Sequence, residues 1–216
     1  MISKLRNPGS AITHFIAMIL AFIAAFPLLA KASGEPGHLH VVSLAVFIIS
    51  MILLYGASTL YHTLDISPKV TTILRKIDHM MIFVLIAGTY TPVCLIVLGD
   101  KTGWQLLALV WGIALVGITI IAFWITCPKW FSSLIYIAMG WVCVLAITKI
   151  IAALPSPAFM WLLAGGVIYT LGGVIYALKL PIFNSNHKNF GSHEIFHLFV
   201  MGGSFCHYIM LYQFVA

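Results

Sequence analysis

The chain has 216 residues, of which 62% are hydrophobic and only 7% charged, with a formal net charge of +6. A soluble domain is about 25% charged, so this composition cannot cover a globule in water. It excludes a soluble enzyme and leaves the positive charge to be explained by something other than nucleic acid. Apolar runs near 20 residues long recur along the chain, and a mean hydropathy of +1.10 agrees with them. Each run is long enough to cross a bilayer, which makes this an all-α integral membrane protein.

The first run, 11–31, has no small-residue cleavage site followed by a soluble domain. It reads as a span and not as a cleavable signal. Its Ala17, Ala21 and Ala25 share one helix face, a spacing suited to close packing. His14 near its start either supports a site or bonds a neighbouring backbone group. Six further spans follow at 39–62, 76–98, 103–125, 130–151, 157–179 and 191–213. The breaks are punctuated by "KASGEPGH", "DISPK", "LGDKTG", "TCPKW", "LPSPA" and "LPIFNSNHKNFGS". The whole chain, 1–216, is then one seven-helix domain. The pairs Gly165-Gly166 and Gly172-Gly173 in the sixth span read as close-packing points. Cys94, Cys127, Cys143 and Cys206 form no Cys-x-x-Cys pair and read as small apolar packing residues.

Lys and Arg choose the orientation. Lys4, Arg6, Lys69, Arg75, Lys76, Lys129, Lys179 and Lys188 fall on the N-terminal side, against Lys31, Lys101 and Lys149 opposite. This excess predicts a cytoplasmic N-terminus and, with an odd number of spans, a C-terminus outside.

Ionisable groups inside a membrane are costly and call for a partner or a purpose. His62 closes the second span with Ser58 one turn deeper. Asp78 and His79 open the third, and His193, Glu194 and His197 open the seventh. The topology puts all of them at one depth near the cytoplasmic face. His193 and His197, four apart, project from one helix face. Three imidazoles from two helices with an open fourth position make a catalytic-type zinc site, where the metal makes its water acidic near neutral pH. Asp78 is the candidate proton acceptor, and Ser58 the candidate donor to the water or an acyl oxygen. His207 lies about 21 Å along the helix from His193, too far to share a metal, so an interhelical hydrogen bond is expected. His79 points away from Asp78 and reads as packing or as outer support of the site, His187 as a loop residue, and His38 and His40 as solvated.

"STLYH", "KIDH" and "HEIFHLFVMGGSFCHY", with the early "NPGSAITHFIA", together resemble the hemolysin III family of the wider progestin and adiponectin receptor (PAQR) superfamily. The resemblance covers nearly the whole chain. It implies a seven-helix bundle with a zinc ion near the inner leaflet held by His62, His193 and His197. Asp78 matches the aspartate that contacts the metal's water, and Ser58 the serine before the first ligand. The superfamily is similar to alkaline ceramidases, and bacterial members are associated with pore-forming cytolysis and membrane lipid homeostasis. The chain departs from the pattern in three ways. It lacks the long extramembrane N-terminal region of the eukaryotic receptors, so hormone reception is not implied. "NPGSA" also stands where bacterial relatives often carry acidic residues. Eukaryotic relatives have Gln where this chain has Glu194, so the His-Glu-x-x-His of metalloproteases is here a coincidence laid over a His-x-x-x-His pair.

Three readings of function follow. The first is a zinc-dependent hydrolase of a lipid amide or ester, taking a membrane lipid or another fatty-acid-containing substrate in a bacterial inner membrane. The second is a pore-former, which would want polar residues along its length. The third is a non-catalytic sensor with structural zinc.

Overall fold

The computed structural model describes residues 6–124, 126–178 and 191–216. Lys4, Lys179, His187 and Lys188 lie outside the described residues. Among the described residues, seven helices are long and apolar enough to cross a membrane. They are α1 (Pro8–Ala32), α2 (Leu39–Thr63), α3 (Pro68–Pro92), α4 (Lys101–Phe123), a fifth span in pieces, α7 (Ser156–Leu178) and α8 (Ser192–Phe214). The third runs on as a π-helical stretch, Val93–Leu98; the fifth comprises α5 (Lys129–Gly140), a 3-10 stretch (Trp141–Ala146) and α6 (Ile147–Ala153). This is the seven-helix membrane architecture that the composition predicts.

Two elements differ from the sequence reading. Helix α3 starts at Pro68, eight residues before the expected position. Pro68 sits in the first turn, where its missing N–H costs nothing, and the Ser67 hydroxyl accepts from the Val70 N–H at 3.3 Å. That cap lets the polar "KVTTILRK" continue the apolar helix outward. Asp78 and His79 therefore lie almost three turns into α3 and do not open it. The second difference is the broken fifth span. The Tyr90 hydroxyl donates to the Gly140 carbonyl at 2.6 Å and accepts from the Cys143 N–H at 2.8 Å. A side chain inserted in this way takes over ladder partners and tightens the helix locally.

At the end of the π-helical stretch, Gly99 has φ +61° and turns the chain into α4. There a residue with a Cβ would be strained. Asp100 caps α4 by accepting from the Gly103 N–H at 3.0 Å.

The packing forms a ring. Helix α1 lies on α2, α2 on α3, α3 on α5, α5 on α7 and α7 on α8, and α8 returns to α1. Helix α4 packs outside this ring, against α3 and its π-helical extension. Ala17 and Ala21 are buried as expected, while Phe15, Ile19, Phe22, Ile23 and Phe26 of α1 are exposed. An apolar outer face of this extent suits lipid, not water. In α7 the glycines divide. A Cβ on Gly165 would stand 2.7 Å from Nε2 of His207, and one on Gly172 would stand 2.6 Å from Cβ of Phe199, so both admit α8 closely. A Cβ on Gly166 would meet nothing within 4 Å, so only one member of that pair is a packing point. All four cysteines are free.

Candidate metal centre

Ring closure carries the start of α8 to the end of α2. His193 and His197 stand on successive turns of α8, and His62 lies one residue before the end of α2. The ring centroids are 4.6 Å apart for His193 and His197, 5.0 Å for His62 and His193, and 5.2 Å for His62 and His197. One nitrogen from each ring lies within 4.8 Å of the others, and Nε2 of His62 is 3.2 Å from Nε2 of His193. Two imidazole nitrogens on one tetrahedral zinc, each at ~2.0–2.1 Å, stand about 3.3 Å apart. The donor set thus fits a metal ion in type and spacing, and the triad can hold one. His62 and His197 are each only 2% exposed.

A cavity of about 180 Å³ opens beside the triad. His193 and His197 line it, together with Ser58, Asp78, His79 and Tyr176. It continues through the bundle past Leu85, Tyr136 and Val200 to His207 and Phe159. Every helix except α4 contributes to its wall. Asp78 is buried, with one oxygen 3.6 Å from Nδ1 of its neighbour His79. The Ser58 hydroxyl oxygen is buried and has no hydrogen-bond partner among the described residues. A buried hydroxyl without a partner is expensive, and this one belongs to a residue of the cavity wall. His79 does not point away from Asp78: its Nδ1 lies near that carboxylate and 2.9 Å from the Arg75 carbonyl, and its Nε2 is 3.4 Å from the Tyr176 hydroxyl.

Glu194 does not face the triad with a free carboxylate. One oxygen accepts from the Ser10 hydroxyl of α1 and the other from the Gly191 N–H at 2.8 Å. The latter bond caps the start of α8 as the glutamate of a capping box does, although Gly191 has no side chain to return the bond. His207 differs from the expectation of an interhelical hydrogen bond. Its Nδ1 is buried without a partner and its ring stacks on Tyr169 at 5.4 Å. The interhelical bonds are made next to it, where the Tyr55 hydroxyl donates to Ser204 at 2.6 Å and the Tyr169 hydroxyl meets the same oxygen at 2.8 Å.

Beside His14, for which support of a site is one of the two expectations, three further residues at the start of α1 reach the site: Asn7, Ser10 and Thr13. Asn7 is tied twice to His62: its N–H donates to the His62 carbonyl at 3.0 Å, and its side-chain amide lies 3.2 Å from Nδ1. The Thr13 hydroxyl lies 3.3 Å from Nδ1 of His197. The His14 ring stacks on the His197 ring at 3.6 Å and 8°, and neither of its nitrogens has a hydrogen-bond partner. The signal was present: Asn7, Ser10, Thr13 and His14 recur at helical spacing in an otherwise apolar run.

The Haemolysin-III related family matches residues 3–208. The chain is 40% identical over 196 residues to "Hemolysin-3" of Bacillus cereus, covering 91% of this chain and 85% of that protein. It is 38% identical over 196 residues to the "Hemolysin-3 homolog" of Bacillus subtilis (strain 168), covering 91% and 88%. A more distant similarity, 27% over 223 residues, reaches the "Progestin and adipoQ receptor-like protein 1" of Caenorhabditis elegans, covering 93% of this chain and half of that one. With its seven apolar helices and buried histidine triad, the chain belongs to the haemolysin-III related family.

Proposed function

We propose that this protein is a zinc-dependent hydrolase of a lipid amide or ester, of the ceramidase type, serving membrane lipid homeostasis at the inner face of a bacterial cytoplasmic membrane. The observation that carries this reading is the junction of the histidine triad with a long, mostly apolar cavity whose wall also holds Asp78 and Ser58. Imidazole donors suit zinc, and three of them leave a position for water or substrate. Between His193 and His207, which both line the cavity, α8 rises about 21 Å. A slot of that length accepts an extended acyl chain and would hold its carbonyl end beside the triad. Bound zinc supplies a Lewis acid and a water made acidic near neutral pH. Asp78 takes the proton of the attacking water and returns it to the leaving nitrogen or oxygen as the acyl bond breaks. The products are a fatty acid and an amine or alcohol. Ser58 donates a hydrogen bond to the acyl oxygen, which gives its unpartnered hydroxyl a role. With both oxygens held by Ser10 and Gly191, Glu194 is a structural residue and not a protease base.

The orientation rests on charge. Arg6, Lys69, Arg75, Lys76 and Lys129 belong to the histidine end, against Lys31, Lys101 and Lys149 at the other, so the histidine end is cytoplasmic.

The test uses full-length protein purified in detergent. His62→Ala is expected to lose bound zinc, and Asp78→Asn to keep zinc but lose fatty-acid release from a ceramide-like amide. Undiminished zinc in His62→Ala would remove the metal reading; full turnover in Asp78→Asn would remove the proton transfer. The name of the Bacillus relatives points to lysis, so dye release from liposomes is the companion measurement. Leakage that survives loss of His62 would favour a pore.

A further inference from the structure

We infer that the polar edge of α1 is the orienting shell of the metal site, with Asn7 and Thr13 as positioning residues that fix His62 and His197 in the tautomer that ligates through Nε2. The inference rests on the metal reading above and assigns to α1 a role in it.

Each imidazole has two nitrogens, and the partner of one decides which is left to bind a metal. For His62, Nε2 is the atom 3.2 Å from Nε2 of His193, while Nδ1 lies 3.2 Å from the side-chain amide nitrogen of Asn7, a group whose nitrogen and oxygen exchange places on a half-turn. Turned so that its oxygen meets the ring, that amide accepts the Nδ1–H and leaves a lone pair on Nε2. Asn7 is held for this task by its own N–H, which donates to the His62 carbonyl at 3.0 Å.

Thr13 serves His197 in the same way. Its hydroxyl is 3.0 Å from each of the Gly9 and Ser10 carbonyls, so its proton is committed to the backbone of its own helix. The oxygen is thereby left as an acceptor, and Nδ1 of His197 at 3.3 Å is the donor it faces. His197 again keeps Nε2 free. Ser10, between the two, donates to Glu194 and pins the first turn of α8 against α1. The face of His197 is covered by the stacked His14 ring, which blocks rotation out of this orientation. A structural role for these side chains would require only that they fill space and bond somewhere. Here two separate contacts, from residues 6 apart, reach the same ring atom of two different ligands.

The experiment measures zinc affinity of the full-length protein in detergent by competition with a chelator. Thr13→Val keeps the shape of the side chain and removes its acceptor; it is expected to weaken zinc binding at least ~10-fold, the scale for losing such a partner, and Thr13→Ser to restore it. Asn7→Leu is expected to weaken binding similarly. Asn7→Asp is expected to bind zinc at least as tightly as the parent, because a carboxylate accepts the Nδ1–H more strongly than an amide. Ring-nitrogen NMR of the zinc-loaded protein should show Nε2 ligation of His62 and His197 in the parent, and mixed ligation in Thr13→Val. Parent-like affinity in both Thr13→Val and Asn7→Leu would overturn the inference, as would Asn7→Asp binding as weakly as Asn7→Leu. If the parent itself bound no zinc, the proposed function would fail first, so the two failures are distinguishable.

Discussion

At the histidine end His62, His197, Ser58 and Asp78 are all less than a tenth exposed, whereas at the opposite end the Lys149–Asp100 ion pair, 2.6 Å long, has side chains 52% and 45% exposed. The opposite end spends its polar groups on exposed ties between helix ends and on a helix cap. Asp100 caps α4, and the ammonium of Lys149 together with the Gly103 N–H holds the Asp100 carboxyl below the usual carboxylate range. Such exposed pairs contribute little to stability, because water screens both charges. At the histidine end the polar groups are out of water, where each unmet hydrogen bond costs about 1–3 kcal/mol. His14 with both nitrogens unpartnered and Ser58 with an unpartnered hydroxyl carry that cost beside the cavity. Polar groups at the two ends therefore differ in kind. One set ends helices, and the other is assembled from α1, α2, α3 and α8 around a cavity.

Metal dependence should separate the two ends most sharply. A ligand that binds only the folded state raises stability by an amount that grows with its concentration over Kd. Zinc should therefore raise the melting temperature of the parent protein, and chelator should lower it. In His193→Ala both responses should vanish; a persisting zinc response would separate the triad from metal binding. A moderate effect is expected from Glu194→Gln, which weakens the ties to Ser10 and Gly191. Losing a cap of this kind costs about 1 kcal/mol, read as a lower melting temperature, with zinc stoichiometry unchanged. Loss of zinc or of turnover out of proportion to that shift would restore the metalloprotease-like role of the glutamate. The smallest effect belongs to the other end. Because the folded Asp100 carboxyl is depressed, its contribution is present above the ordinary carboxylate range and is lost as pH falls through the folded value. Asp100→Asn should flatten that acid limb slightly and leave zinc affinity untouched. A change in zinc affinity would mean that the two ends are coupled through the cavity.

Much of this was legible in the linear chain. Seven apolar runs announce seven helices because lipid leaves the backbone no partner but itself. His193 and His197 declare a shared face because the helical repeat is local. The missed features have one cause. The start of α3 depends on a cap at Ser67 that let polar sequence continue a helix, and hydropathy does not register it. The 3-10 break in the fifth span depends on Tyr90, 50 residues from the carbonyl it meets, and no local pattern in "AMGWVCVLA" marks it. Asn7, Ser10 and Thr13 were visible as a polar stripe, but a stripe does not name the atoms it faces.

Composition and periodicity by themselves determined that the chain lives in a bilayer as seven helices, with its ionisable groups gathered toward one end, because burial and helix geometry act over a few residues at a time. Only the tertiary structure decided that α8 closes a ring onto α1, and hence that residues 131 apart bring Nε2 to Nε2 at 3.2 Å beside a common cavity. Which helix lies against which is settled by side-chain packing across the whole bundle, and no window of sequence contains that information.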